Sequence, residues 1–165
     1  MAQRRGISNV VATIILIAVA IALAVAVAVW VFGIFRSSAH AGTLNAISED
    51  LYLSSGGTAY LVLYVSNPTG TTQNIVSVTL GGASCSFQGA STSSPVSSAG
   101  VSTGTATTDG ITGTTGGQVA IAGGTFAYLV YICSSSYTPG VQYSGTIYLS
   151  TGTSIPFTVT AQALS

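Results

Sequence analysis

The chain has 165 residues, of which 4% are charged, with Lys+Arg 3, Asp+Glu 3 and a net charge of zero. An average soluble domain is about 25% charged, so an ordinary ion-studded surface is excluded. The basic patch that nucleic-acid binding requires is excluded with it. A surface of this kind is covered by Ser, Thr, Gly and Tyr, or it is hidden against other copies.

The composition divides the chain into two objects joined end to end. The first six residues, MAQRRG, carry Arg4 and Arg5, and Gly6 stands immediately before Ile7. From Ile7 to Phe35 runs an almost unbroken apolar stretch of roughly 29 residues, well beyond the ~18 that mark a membrane span. Within it, AVAIALAVAVAVW alternates small and large side chains, with Ala18, Ala20, Ala22, Ala24, Ala26 and Ala28 separated by Ile, Leu or Val. A period of two belongs to a strand, but strands usually run about five or six residues. In lipid, a single segment satisfies its backbone only as a helix. The stretch therefore predicts a helix of about 43 Å at ~1.5 Å per residue, longer than a hydrocarbon core of ~30 Å.

On that helix the alternation acquires a second meaning. Ala18, Ala22 and Ala26 form one small-residue row, and Ala20, Ala24 and Ala28 form another roughly opposite. Ile17, Ile21, Val25 and Val29 make one ridge between them and Val19, Leu23 and Val27 a second. Small rows let helices approach closely, here on two sides. A helix apolar all round belongs in lipid or among other helices.

The flanks sharpen this reading. No small-residue exit follows the apolar run, so the run reads as retained and not as a secretory signal that is cut away. Two Arg before the span and only Arg36 after it place the N-terminus in the cytoplasm and the bulk of the chain outside. Trp30, Phe32 and Phe35 with Arg36 read as the outer membrane interface, and Gly33 as a small joint. Ser8, Asn9 and Thr13 read either as a cap and a residue bonding back to its own helix, or as polar contacts between stacked helices.

The string RRGISNVVATIILIAVAIALAVAVAVW resembles the class III signal peptide of archaeal type IV pilins, relatives of archaeal flagellins. That resemblance implies cleavage between Gly6 and Ile7 by a prepilin peptidase and polymerisation of the mature helices into a filament core. It also implies an assembly machinery as partner and a precursor held in the membrane before assembly. The final location would be an extracellular, adhesive filament on the cell surface. Bacterial type IV pilins usually carry a Glu near the start of the mature helix, and Ile7 to Phe35 contains none.

Beyond the helix, a linker is expected over 37–50 and a head over 51–165. Thr58 to Ser66, TAYLVLYVS, places Ala59, Leu61, Leu63 and Val65 on one face and Tyr60, Val62 and Tyr64 on the other. Asn67-Pro68-Thr69-Gly70 ends that strand. Further strands are expected over Thr72 to Leu80, Ser84 to Phe87, Gln118 to Ala122 and Thr125 to Cys133. Val141 to Ser150 and Ser154 to Gln162 form a closing hairpin. Short strands at intervals of about 8–12 residues, with Gly and Pro between, favour a β-sandwich. The expected class is therefore α+β: a long apolar helix followed by an all-β head, which by the same resemblance is immunoglobulin-like.

Cys85 and Cys133 are the two cysteines. In a domain outside the cell they read as a disulfide, the alternative being two buried thiols. No metal site is expected, since two Cys lack the remaining ligands. Between Ser91 and Gly117 the chain is rich in Ser and Thr, which reads as a surface loop with short edge strands or as a carrier of O-linked glycans. Asn67 is followed by Pro68, which blocks N-linked glycosylation.

Chemistry is poorly provided for. His40 stands alone in the connection after the helix, and the adjacent Glu49 and Asp50 point apart as a solvated approach to the first strand. With no nucleophile–base pair and no phosphate loop, neither catalysis nor a cofactor is expected. The leading expectation is a structural subunit that forms a helical homopolymer. The alternatives are a single-pass anchor displaying a β-sandwich binding module, and a flagellin of a motility filament.

Overall fold

The computed structural model describes residues 3–39 and 42–164, with helix side chains described over Ser8–Phe32. Two compact units are present, 1–41 and 42–165. The first is one helix, α1 (Gln3–Ala39), with helical backbone extending beyond the expected 7–36 at both ends. The α+β class is thus observed: one apolar helix, then a β-rich head.

The long strands of the head are β1 (Asn45–Leu53), β2 (Ala59–Ser66), β3 (Gln73–Leu80) and β4 (Ala83–Ser91). Four short ones follow, β5 (Val96–Ser97), β6 (Gly100–Val101), β7 (Thr107–Thr108) and β8 (Ile111–Gly113). The chain ends with β9 (Val119–Ile121), β10 (Phe126–Cys133), β11 (Gln142–Leu149) and β12 (Ser154–Ala163). Each long strand that the alternation predicts is present, and the β11–β12 hairpin forms with Gln142 opposite Thr160. β1 begins at Asn45, within the 37–50 stretch expected as a linker. Glu49 and Asp50 lie inside β1, where the apolar pattern alone hides the strand.

The sandwich is also corrected. Instead of two sheets, the order β11-β12-β1-β2-β10-β4-β3 returns to β11 through the β3–β11 pairing, giving a closed, barrel-like sheet. Closure rests on two ladders. β1 runs parallel to β12, with Leu51 beside Ala161, and β3 shares one edge between β4 at Val78–Leu80 and β9 at Gln73–Ile75. The β1–β12 seam is short, three residue pairs from Leu51 to Leu53, so the closure rests on β1 and β12 only at their C-terminal ends.

The interior follows the pleat. Leu51, Leu61, Leu63, Val65, Val78, Leu80, Phe87, Leu129, Ile147 and Val159 are buried in one core, as the period-two reading of β2 requires. Gly145 makes room for this packing, because a Cβ there would collide with the Phe157 ring and lie 2.6 Å from the Thr79 carbonyl. The Ser/Thr-rich segment is tied down as well: Ile111 is fully buried and β8 pairs with β9.

Two covalent or polar devices reinforce the ring. Cys85 and Cys133 face each other directly across β4 and β10 and form the expected disulfide. Asn67, which reads in the sequence as part of a turn, is completely buried. Its Nδ2 donates to the carbonyls of Thr71 and Ile121, both at 2.8 Å. Its Oδ1 accepts from the Thr69 amide at 3.1 Å and the Thr69 hydroxyl at 2.7 Å. Its backbone bonds Thr125 and Gly124.

Reduction, or the double change Cys85→Ala and Cys133→Ala, should lower unfolding free energy by about 2–4 kcal/mol, as for a cross-link closing a loop of this size. Thermal melts with and without reductant measure it. Asn67→Ala should cost roughly 3 kcal/mol or more, since buried partners left unpaired cost ~1–3 kcal/mol each. Asn67→Asp should be most damaging at neutral pH and recover on acidification. A carboxylate facing two carbonyls is held protonated in the fold, so its penalty is present above the ordinary carboxyl range and fades below it.

Candidate functional site

The principal candidate is the surface of α1. Between Ser8 and Phe32 there is no Gly or Pro, and Ala and Leu favour the helix while β-branched Ile and Val cost little in a long apolar segment. The most apolar stretch of 18 residues in this segment has a mean hydropathy of 3.2, and every residue from Ser8 to Phe32 is exposed. Ile14 is 60% exposed, Leu16 70%, Val29 68% and Phe32 72%. Both alanine rows, Ala18, Ala22 and Ala26 and the opposed Ala20, Ala24 and Ala28, are exposed too.

Covering one large apolar side chain gains about 1.5–3 kcal/mol, and a whole domain is stable by only ~5–15 kcal/mol. A helix with this many exposed apolar groups therefore demands a cover of lipid or protein. Its described span is about 37 Å at ~1.5 Å per residue, enough to cross a hydrocarbon core of ~30 Å. The same length and composition also fit a signal sequence. Thr13 bonds back to its own helix, its Oγ1 donating to the Asn9 carbonyl at 2.8 Å. That hydroxyl is satisfied without a neighbouring helix.

Several expected residues lie outside what is described. Met1, Ala2, His40, Ala41 and Ser165 are not described, nor are the side chains of Arg4, Arg5, Ile7, Phe35 and Arg36. The helical backbone is continuous through Gly6 and Ile7.

The head offers little chemistry. Among the described residues no group of three or more His, Cys, Asp and Glu is placed to hold a metal ion. A cavity of about 280 Å³ is lined by Leu53, Ser54, Gly57, Tyr137, Pro139 and Leu164, and a neighbour of about 180 Å³ shares Ser54 and Leu164. Neither is lined by an acid or a base. Tyr131 is buried with a hydroxyl that has no partner, and burial holds its phenol far above the ordinary range. It packs edge-on against Phe87, with ring centroids 5.5 Å apart. Outside the ring, Tyr64 on β2 stacks on Tyr128 of β10 at 4.4 Å. Sequence alternation places Tyr64 on the outer face, but only strand order brings Tyr128 beside it.

No family model and no curated protein matches the chain. The functional reading therefore rests on the residues themselves.

The fold alters the proton affinity of Glu49. Partial burial raises its pKa above 4.5, and Asp50 next to it raises it further. A raised acid binds protons more tightly folded than unfolded, so stability falls as pH rises through and above 4.5, until both states are ionised. Glu49→Gln should remove that fall and leave the head slightly more stable at pH 7 than the unaltered chain. Denaturant titrations at pH 4 and pH 7 give the comparison.

Proposed function

We propose that the chain is the structural subunit of an extracellular filament of the archaeal type IV pilin kind, in which α1 helices bundle as the core and β-heads lie outside. The observation that carries this reading is the helix itself: 25 residues apolar on every side with none buried by its own chain. In lipid such a helix is merely solvated. In a bundle its opposed alanine rows gain close van der Waals contact, which is the term that favours helix association once both environments are equally apolar. The leader RRG before Ile7 supports a route out of the membrane, since cleavage there removes Arg4 and Arg5 from the helix. A role in adhesion and O-linked glycans on the Ser/Thr-rich segment belong to the same proposal, supported by the many exposed hydroxyls between Ser91 and Gly117.

Substituting Ala22 or Ala24 by Phe should abolish filaments on cells while leaving membrane insertion intact, as read by electron microscopy beside membrane fractionation. Sheared material should begin at Ile7 on N-terminal sequencing. Retention of Arg4 and Arg5 with no filament would favour the single-pass anchor, and filaments that rotate cells would favour the flagellin.

A further inference from the structure

The covalent path from α1 enters the head at β1, and β1 is bound on both edges. It pairs with β2 from Asn45 opposite Ser66 to Leu53 opposite Ala59, interrupted by one register shift at Ile47. It pairs in parallel with β12 from Leu51 beside Ala161 to Leu53 beside Ala163, and the Leu164 amide donates to the Leu53 carbonyl at 2.9 Å. Just before the strand, Leu44 is buried in the core, and Gly42 runs against Thr69 so closely that a Cβ would lie 2.7 Å from its methyl. Thr69 is itself held by buried Asn67.

We infer that β1 is a force-bearing clamp: tension arriving through the helix is met in shear by the β2 and β12 ladders together, with Leu44 as the first anchor. The hydrogen bonds of a ladder lie across the strands. A pull along β1 therefore strains them simultaneously, whereas a pull on the open end of a hairpin breaks them in turn. Because β1 and β12 are parallel, drawing the N-terminal end of one against the C-terminal end of the other loads them in this resistant direction. Extraction must also drag Leu44 and Leu51 out of the core. The inference needs only that the helix be held, in lipid or in a filament, so it stands apart from the filament reading.

Single-molecule stretching of the full chain in detergent tests it, since forced unfolding reads the barrier out of the native state and not equilibrium stability. Handles at the N-terminus and the C-terminus load β1 against β12, and handles inserted at Gly140 and at the C-terminus open the β11–β12 hairpin. The first geometry should require at least about twofold more force at equal pulling speed. Head unfolding is recognised because the disulfide withholds the residues it encloses. With a separation of 48 between Cys85 and Cys133, reductant should lengthen the release by roughly 160 Å at ~3.3 Å per residue. Leu44→Ala should lower the force in the first geometry and leave the second unchanged. Equal or lower force along the helix axis, or a Leu44→Ala chain as resistant as the original, overturns the clamp.

Discussion

Water does not tolerate a helix that is apolar on every side, and the rest of this molecule is arranged around that fact. From Ser8 to Phe32 the exposed helix has no polar face to turn to water. An amphipathic helix would bury one stripe and solvate the other. This one must be taken up whole by something else. The head has to be stable from a core of its own, drawn from residues between Leu44 and Ala161.

That requirement explains the economy of the head. With so few charges, surface ion pairs contribute nothing of note, and they would be worth little in any case. Stability comes instead from closing the sheet, so that Leu61, Leu63, Leu129 and Ile147 pack inside a continuous wall. The disulfide restricts the unfolded chain, and Asn67 gathers the ends of β2, β3, β9 and β10 with one fully satisfied side chain. The unpaired hydroxyl of Tyr131 runs against this pattern, and the ring supplies it with apolar contact only.

Local signals were legible in the sequence wherever one residue type decides the structure. The apolar run gave α1, alternation gave the inner face of β2, and Gly and Pro marked the turns around β10, β11 and β12. What lay beyond reach was long-range. Nothing in NAISEDLYL announces a strand, because Glu49 and Asp50 interrupt the pattern and the pairing partners lie in β2 and in distant β12. Closure through β3 and β11 likewise depends on a register between residues 75–80 and 145–149, which composition does not encode. Asn67 was visible as a turn residue, but its burial follows from Ile121, far along the chain. For the candidate site, both alanine rows could be placed from spacing, whereas nothing among the described residues covers them.

The scarcity of charge belongs to the same logic. Net charge near zero removes the self-repulsion that ordinarily keeps copies of a protein apart, and it usually favours association. For a soluble monomer that is a liability. In the proposed filament, where heads crowd around a common core of helices, it favours assembly, because like-charged heads brought together would repel one another. The hydroxyl-rich segment between Ser91 and Gly117 then keeps such a surface wetted without ions. On the proposed filament reading, the neutral surface and the helix apolar on every side answer one constraint, the dense packing of many identical copies.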